Sequence, residues 1–461
     1  MPKYKRGLFI FHRDLRIVDN VGLNAAIRDC EEVFTAFIFT PEQVGKQNHY
    51  KSTNAVSFMI ESLVDLQEQL PGIMFLYGEP IRMTGQLIRS LNIDCVFFNR
   101  DYTPYAVKRD KDTADLCHKM GVNCSMLSDY YLYEPGSIVH GANRALYHKF
   151  TPFYEAALKM DVLAPQTRHA KQALHRNILP EHRITLDDAF SRFTHHNPNI
   201  AVLGGREMGR KCLSRALAEQ KDYEKNRDTM AYKTSMLSAY LKFGCVSIRE
   251  AFHAFKHRFG LHHEIIRQII WREFFAHLLY GYPDILKEGT YYPNYGKIRW
   301  RTNKRALDAW KQGKTGVPIV DACMRQLNET GYMHNRGRML VATFLIKTLM
   351  LDWREGERYF AQKLTDYDIA SNNGNWMSIM GGGAYTTPYF RVMNPWIQSA
   401  KFDKDGVYIK QWVKELSAVE PKDIHRWADA YKKYKDINYP KPIADYYEEK
   451  EVFLKLYREF V

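Results

Sequence analysis

Four apolar runs in the first 130 residues alternate with amphipathic segments. The runs read GLFIFH, VFTAFIFT, IMFLYG and CVFFNR, and the stretch from Ser57 to Leu70 is one of the amphipathic segments. This alternation is typical of βαβ units, so it predicts an α/β domain with a Rossmann-like parallel sheet covered by helices on both faces. The segment after the first strand reads HRDLRIVDN and contains no GxGxxG, which argues against a Rossmann-type dinucleotide site.

The pattern changes after residue 130. Residues 131–205 mix His, Pro and charged residues without a sustained period, which predicts a connector. Residues 206–461 are dominated by amphipathic stretches, which predict an all-helical domain. These stretches are Ser235–Phe243, Ser247–Arg258, Glu264–Tyr280, Val317–Asn328, Arg336–Trp353 and Gly356–Leu364.

Composition restricts the class of protein further. Apolar residues make up 45% of the chain and charged residues 26%, which excludes collagen-like, low-complexity and wholly disordered chains. Apolar runs such as Cys95–Phe98 are far shorter than the ~18 residues of a membrane span, and charge precedes any signal-peptide core, so we expect an intracellular protein without membrane contact. Seven cysteines without a CxxC predict free thiols and no metal site.

Positive charge is concentrated in the later part of the chain. Residues 1–130 hold 15 Lys and Arg against 16 Asp and Glu, whereas residues 131–461 hold 51 against 36. All eight tryptophans also lie in the later part. A basic surface confined to one region indicates a polyanionic partner, either nucleic acid or an anionic membrane surface.

Two segments of the helical part concentrate polar residues. In residues 313–360, Gly313-Lys314-Thr315 resembles the end of a phosphate loop, but Asp308 stands where that motif needs Gly. His334, Asn335, Arg336 and Arg338 open a helix whose next turns are apolar, so the pattern indicates either an anion site at a helix N-terminus or a capped helix with surface arginines. Residues 364–395 combine Asp366, Asp368, asparagines and glycines, which predicts a ligand-binding loop or an ordinary turn.

A third segment places hydroxyl side chains around the start of a helix. Thr234, Ser235 and Ser238 lie in KTSMLSAYLKFG. They are placed either to hold a phosphate group or to cap the helix.

Together these segments resemble the photolyase/cryptochrome flavoprotein family over essentially the whole chain. The matching motifs are FxxRDLRxxDNxxL, TSxLSxYLxFG, WREFF, GKTGxPIVDAxMRQLxxTGxMHNRxRM, DWREGExYF and NxGxWxxxxGxGxxxxPYFRxxNP. The resemblance implies an α/β antenna-type domain over residues 1–130 and an all-α domain over 206–461 that binds FAD and DNA. Within the family, MHNRxRM resembles class I enzymes that repair cyclobutane pyrimidine dimers, although Gly374-Asn375-Trp376 resembles the DASH group. The (6-4) photolyases carry two histidines where Asn335 and Met339 stand.

The resemblance also implies the site residues. FAD is expected at Tyr223, Thr234, Ser235, Met236, Leu237, Ser238 and Arg272, with Asp366, Tyr367 and Asp368 at the isoalloxazine edge and Arg338 paired with Asp366. Asn372 would lie opposite flavin N5, where a neutral amide does not easily give up a proton and so favours an anionic semiquinone. Fully reduced anionic FAD is expected to be the active electron donor. Trp376, Trp353 and Trp300 match the family's three-tryptophan chain for electrons, although each alone is more typical of core packing.

Damaged DNA is the expected partner of a monomeric protein. The resemblance assigns its contacts to Arg227, Gln268, Trp271, Asn335, Arg336, Met339 and Gln398, around a cavity for a flipped-out dimer. Two residues depart from the dimer-repair pattern. Gln268 replaces a glutamate and is what (6-4) enzymes carry, and Ser378 replaces a second tryptophan.

An antenna chromophore is the remaining cofactor question. Folate-binding relatives use a Glu in the segment that aligns with residues 102–107, and no acid occurs there. The small residues leave room for a deazaflavin or flavin ring, or for an empty pocket.

From the resemblance as a whole we expect light-driven repair of cyclobutane dimers, with a cryptochrome photoreceptor and a (6-4) photolyase as alternatives. The absence of a long tail after the helical domain favours repair over a cryptochrome.

Overall fold

The computed structural model describes residues 2–166, 174, 183–384 and 390–460. Part of the predicted connector and part of the predicted loop at 364–395 therefore lie outside the described residues. Five parallel strands form one sheet in the order β3-β2-β1-β4-β5: β1 Tyr4–Phe11, β2 Cys30–Phe39, β3 Ile73–Tyr77, β4 Cys95–Asn99 and β5 Asn123–Leu127. The parallel sheet predicted from the apolar runs is confirmed.

Helices connect the strands and follow them. Those between the strands are Val21–Asp29, Pro41–Val44, Thr53–Gln69, Pro80–Leu91 and Pro104–Lys119. The connector region holds a two-stranded ladder of Val139–His140 and Ala145–Leu146 and the helices Phe150–Ala157 and Leu186–Phe193. The helical half comprises Arg206–Glu219, Tyr223–Asn226, Ser238–Lys242, Ile248–Phe259, Glu264–Gly281, Ile285–Glu288, Lys304–Gln312, Pro318–Thr330, Asn335–Thr343, Trp353–Lys363, Ile369–Met380, Pro395–Phe402, Val407–Trp412, Pro421–Ile424, Trp427–Ala430 and Tyr446–Tyr457.

The two faces of the sheet belong to different cores. Phe9 and Phe11 of β1 join a core that continues into the helical half, whereas Leu8 and Ile10 join a separate core of the α/β part. Successive strand residues point to opposite faces, so a wholly apolar strand can fill both cores at once. One face of the sheet therefore packs against the helical half.

Two sequence predictions are wrong in detail. Residues 336–353 do not form one helix, because the Asn335–Thr343 helix continues as a π-helical turn over Phe344–Thr348 and stops before Trp353 begins the next helix. The segment predicted as a binding loop is helical over Ile369–Met380. Tertiary packing outweighs the poor helix propensity of its Asn and Gly residues, and Gly374 lets Phe275 approach so closely that a Cβ atom would lie 2.5 Å from the phenyl ring.

Buried ion pairs tie the two halves together. Arg249 of the helical half donates to Asp19 Oδ2 (3.0 Å) and to Asp129 Oδ1 (2.7 Å), and Arg16 donates to Asp129 Oδ2 (2.6 Å). Burial alone would raise the pKa of Asp129, but Arg16 and Arg249 together hold it below its usual range. Gly244 lies with positive φ against the backbone of Arg13, where a Cβ atom would not fit. The halves are thus joined by charge and close backbone contact as well as by apolar packing.

All seven cysteines are free thiols, as predicted. None of the helices in the described ranges combines the length and apolar composition that a membrane span requires. No group of three or more His, Cys, Asp or Glu side chains suited to a metal ion occurs among the residues described.

Candidate functional site

Asp366 is the centre of an ion-pair cluster that joins three distant segments. Arg338 Nη2 donates to its two carboxylate oxygens at 2.8 and 3.1 Å, and Ser238 Oγ donates to Oδ2 at 2.6 Å. Burial would raise the pKa of Asp366, but Arg338 and Ser238 hold it below its ordinary value. The predicted pairing of Arg338 with Asp366 is therefore present, and Ser238 of the hydroxyl-rich segment joins it.

Asp368 extends this cluster toward the sheet. Its Oδ1 accepts from the backbone N–H of Ser371 (3.0 Å), which caps the Ile369–Met380 helix, and its Oδ2 accepts from Arg13 (3.2 Å). Arg13 also donates to Asp101 at 2.6 Å. Desolvation lowers the pKa of nearby Lys242 to about 8, although Asp368 and Asp366 act in the opposite direction. Residues after β1 and β4 thus contribute directly to the predicted FAD site.

The amide of Asn372 has a fixed orientation. Its Nδ2 donates to Glu357 Oε1 at 3.1 Å, and Tyr367 donates to the same oxygen at 3.0 Å. Glu357 is only 2% exposed, and burial raises its pKa despite these hydrogen bonds. Because the amide nitrogen of Asn372 donates to Glu357, the carbonyl oxygen of this amide is left for another partner. Sequence reasoning missed Glu357 as a site residue, although it lies in the matched DWREGExYF motif.

The remaining predicted FAD residues surround this cluster. The Thr234 hydroxyl lies 3.3 Å from that of Tyr332, and the Ser235 carbonyl accepts from Arg215 at 3.3 Å. Met236 adopts a positive φ of 57°, Leu237 is buried, and Tyr223 begins a short helix. Residues 234–238 therefore form a bend that ends in the Ser238–Lys242 helix.

Several buried polar atoms at the cluster have no hydrogen-bond partner among the described residues. They include Nε of Arg13, Oγ1 of Thr365 and Nη2 of Arg272, whose Nη1 donates to the Tyr130 carbonyl at 2.8 Å. An unpaired buried donor or acceptor costs about 1–3 kcal/mol, so such atoms indicate a polar ligand. Hydroxyls, a guanidinium and carboxylates in one place fit the phosphates, hydroxyls and ring edge of FAD.

A second cluster lies along one face of the Glu264–Gly281 helix. Glu264, Gln268, Trp271 and Arg272 follow helical spacing and are all partly exposed. Glu264 Oε1 accepts from Arg227 Nη1 at 2.6 Å and from Gln268 Nε2 at 2.8 Å. Two predicted DNA contacts therefore meet at one carboxylate that sequence reasoning did not select.

The Asn335–Thr343 helix connects the two clusters. Arg338 reaches Asp366, whereas Arg336 pairs with Asp228 at 2.6 Å and lies over the Phe402 ring at 4.5 Å. On the same helix, Asn335 Nδ2 lies 3.9 Å from the Met339 sulfur. Gln398 occupies the Pro395–Phe402 helix with Phe402, and its buried Oε1 has no partner within the described ranges.

Trp271 is covered in this structure. Its ring stacks on Phe150 with centroids 3.6 Å apart and planes 5° apart, and it also stacks on Phe275 at 5.7 Å. Phe150 therefore occupies one face of the ring, and a base could stack on that face only after Phe150 moves. Ser378 donates to the Gly374 carbonyl at 2.8 Å and offers no second ring.

The three predicted electron-transfer tryptophans differ in exposure. Trp376 and Trp353 are each 2% exposed, whereas Trp300 is partly exposed. Trp376 packs edge-on against Phe360 (5.1 Å) and Trp310 (6.3 Å). Of the three, only Trp300 thus reaches the surface, where the predicted chain would end.

A separate cavity of about 280 Å³ opens at the carboxyl ends of the strands. His12 and Arg13 follow β1 and Asp101 follows β4, so the cavity lies where the strand order reverses, the usual ligand position in such sheets. Thr103, Tyr105 and Ala106 of the segment considered for an antenna also line it.

Comparisons with known proteins agree with this arrangement. Residues 8–173 match the family model described as DNA photolyase, and residues 265–459 match the one described as the FAD binding domain of DNA photolyase. The chain is 35% identical to the deoxyribodipyrimidine photo-lyase of Escherichia coli, with 97% of each chain covered.

Two solved structures are similar over nearly the whole length. An archaeal photolyase from Sulfolobus tokodaii, described as containing two FAD molecules, is 37% identical with a TM-score of 0.88 and coverage of 98% of this chain and 100% of that one. A cryptochrome from Synechocystis sp. is 25% identical with a TM-score of 0.88 and 99% of each chain covered. The two family models and the 35% identity to a photo-lyase over 97% of each chain show that the protein belongs to the DNA photolyase family.

Proposed function

We propose that this protein is a deoxyribodipyrimidine photolyase, which splits cyclobutane pyrimidine dimers in DNA with light. The observation that carries the proposal is the pair of contacts made by the Asn335–Thr343 helix. Arg338 pairs with Asp366 of the first cluster, and Arg336 pairs with Asp228, which directly follows Arg227 of the second cluster in the chain. One helix therefore brings a flavin-type site and a polar, basic substrate face together. Relatives named for this activity, similar over the full length, support the same conclusion.

FAD is the cofactor of the helical half. Reduced FAD, once excited, supplies the electron that opens the dimer. The chain's own contribution at this site is to bind and orient: Ser238 and Arg338 hold Asp366 ionised, and Arg13 holds Asp368. Asn372, held through its amide nitrogen, presents only an acceptor and has no proton to give, which supports a reduced anionic cofactor.

Damaged DNA is the substrate we propose for the second cluster. In this proposal Arg227, Arg336 and Asn335 contact phosphates or bases, and Gln268 contacts the pyrimidine edge. The excess of basic residues in this half supplies the phosphate affinity that positions DNA without reading its sequence.

We also propose that the protein is monomeric and that its domain boundaries follow residues 130 and 205. Light scattering in solution tests whether it is a monomer.

Blue-light repair by chemically reduced protein tests the function. Oligonucleotides should carry either one cyclobutane thymine dimer or one (6-4) photoproduct, and we expect repair of the first only. Repair of the (6-4) lesion, which Gln268 alone favours, would make the protein a (6-4) photolyase. Binding of FAD without repair of either lesion would make it a photoreceptor of the cryptochrome type.

The cavity at the strand ends is a second cofactor site in this proposal. It is large enough for a planar ring, and its lining offers both cationic and anionic groups, because Arg13, Arg109 and Lys242 line it together with Asp101 and Glu42. We propose that it holds a flavin or deazaflavin antenna rather than folate. The related photolyase described with two FAD molecules supports this choice.

Chromophore content tests the antenna. Ala106 is buried in the cavity lining, whereas its neighbour Val107 is 50% exposed. Ala106→Trp should remove the second chromophore and leave FAD in the helical half, and Val107→Trp should keep both. Equal chromophore content in the two variants would reject the cavity as the antenna site.

A further inference from the structure

Glu264 organises the side chains that face the proposed lesion site. It lies one helical turn before Gln268, with 15% of its side chain exposed. Its Oε1 accepts from both Arg227 (2.6 Å) and Gln268 (2.8 Å). One acceptor therefore fixes a cation and an amide that approach from different segments.

The pairing with Glu264 determines which end of the Gln268 amide is free. A carboxylate paired with a guanidinium accepts hydrogen bonds and donates none, so the NH₂ group of Gln268 must face it. The opposite orientation would place two acceptor oxygens against each other. The carbonyl oxygen and the second N–H of Gln268 thus remain available on the partly exposed face of the helix.

We propose that Glu264 is a positioning residue that makes the lesion site selective for thymine over cytosine. The proposal rests on the proposed function, because it assumes that Gln268 meets a pyrimidine of the dimer. Thymine presents an N3–H donor beside the C4 carbonyl acceptor, and dimer formation at C5 and C6 leaves that edge unchanged. The free oxygen of Gln268 can accept from N3–H while its second N–H donates to the carbonyl.

Cytosine presents the reverse pattern. Its N3 accepts and its C4 amino group donates, so pairing would require Gln268 to exchange its oxygen and nitrogen. That rotation would turn the amide oxygen toward Glu264. The Glu264 carboxylate therefore weakens the binding of cytosine without contacting the base, because it fixes the orientation of the Gln268 amide.

Arg227 makes this arrangement compatible with DNA. A bare carboxylate on a phosphate-binding face would repel the substrate, whereas the ion pair with Arg227 compensates the charge of Glu264. Arg336 forms a similar ion pair with Asp228 at 2.6 Å, so this arginine is also held by an acidic side chain. Both arginines are thus oriented before DNA arrives.

The test compares repair of dimers of defined composition by chemically reduced holoenzyme. Oligonucleotides carry a thymine–thymine dimer or a dimer with cytosine at the 5′ or the 3′ position, used before the saturated cytosine deaminates. We expect kcat/KM to favour the thymine dimer over at least one of the cytosine dimers by about tenfold, the size of one bidentate contact. Glu264→Gln should bring this ratio close to one, because a neutral amide at 264 can donate as well as accept. The exposed Glu224 offers the matched control, since Glu224→Gln removes the same charge nearby and should keep the ratio.

A second pair of variants separates positioning from structure. Gln268→Ala should abolish the preference, and adding Glu264→Gln to it should change nothing further. Equal wild-type repair of all three dimers, an unchanged ratio in Glu264→Gln, or an effect of Glu264→Gln without Gln268 would each overturn the proposal. Failure of the wild type to repair any dimer, with FAD bound, would instead reject the proposed function from which it starts.

Discussion

At the scale of single residues, Glu273 shows how burial sets a charge. This residue is 0% exposed, and its Oε2 accepts from the backbone N–H groups of Leu132 (3.0 Å) and Tyr133 (3.3 Å). Its Oε1 is without a hydrogen bond among the described residues, although Arg272 lies 3.6 Å away. Desolvation raises the pKa of Glu273 to about 7 against the opposing effect of Arg272.

Stability should therefore depend on pH through this residue. The folded-state pKa lies above the ordinary value of 4.5, so the folded protein binds the proton more tightly, and the stabilisation present at low pH is lost as the pH rises from about 4.5 to about 7. Glu273→Gln removes the titration. From pH 5 to pH 8 its unfolding free energy should rise relative to wild type by on the order of 2 kcal/mol. Urea unfolding at both pH values, with the exposed Glu288→Gln as control, measures this; a pH-independent difference would contradict it.

Sequence identified the amides of the site but not the acids that orient them. Asn372 and Gln268 were predicted from motifs, whereas Glu357 and Glu264 were not selected. Glu264 was accessible in principle, because a spacing of four residues places it beside Gln268 on one helix face. Glu357 lies 15 residues before Asn372, and only tertiary packing brings the two together.

At the scale of elements, a glycine at a helix contact allows the neighbouring side chain to pack closer than any other residue would. Gly356, in the Trp353–Lys363 helix, faces Trp376 so closely that a Cβ atom would overlap the indole ring. Gly85, in the Pro80–Leu91 helix, would place a Cβ atom 3.6 Å from Leu116, an ordinary contact. Helix propensity is similar at both positions, so packing alone distinguishes them.

The two glycines should respond in opposite directions to alanine. Gly356→Ala should destabilise the protein by about 1–3 kcal/mol, because the surroundings must shift to admit the methyl group. Gly85→Ala should stabilise it by up to about 1 kcal/mol through helix propensity. Thermal unfolding of the two variants measures these changes in stability. Destabilisation of similar size in both would show that packing does not distinguish the two positions.

The helix that starts at Trp353 also tests the predicted electron chain. Trp353→Phe should stop light-driven reduction of oxidised FAD by external thiol, because phenylalanine is much harder to oxidise. Repair by chemically pre-reduced enzyme should survive. Trp427→Phe is the control, since Trp427 is buried elsewhere and donates to the Pro440 carbonyl at 2.9 Å. Joint loss of photoreduction and repair in Trp353→Phe would assign this residue to packing.

Element types were predicted better than their ends. The first four strands and the Glu264–Gly281 helix follow from the apolar pattern, because apolar residues dominate each of them. The fifth strand, Asn123–Leu127, is not among the predicted runs, because its residues are largely polar or exposed. The Ile369–Met380 helix was missed because Asn and Gly dominate its start, and local composition there favours a turn. Its stability comes from contacts such as Gly374 with Phe275, which no local pattern reveals.

At the scale of the whole molecule, the ion pairs around Arg249 fix the two halves in one arrangement. Asp19 and Asp129 come from the α/β half, and both are at most 1% exposed in their side chains. Sequence predicted both halves but not this contact, because the residues are separated by 120 positions or more. The geometry of the site depends on it, since Arg13 must reach Asp368 across the same junction.

Arg249→Met should therefore destabilise the protein strongly. It leaves Asp129 with one cation and Asp19 without the charge of Arg249, and breaking such a buried pair costs about 3–5 kcal/mol. Arg358→Met, which breaks a pair with Glu355 exposed by 42% and 38%, should cost no more than about 1 kcal/mol. Urea unfolding measures both; comparable losses would show that the junction contributes no more than a surface contact.

The same junction has a consequence during synthesis. When a ribosome has made residues 1–130, Asp19 and Asp129 already exist, but Arg249 is still 120 residues away. At about 5–20 residues per second, that delay is on the order of ten seconds. Throughout it, the nascent α/β half has Arg16 but not Arg249 to compensate these acids, and the rest of their charge must be hydrated. Its native charge arrangement is completed by a segment made later, so we expect the early half to remain a loosened structure until the helical half emerges and docks.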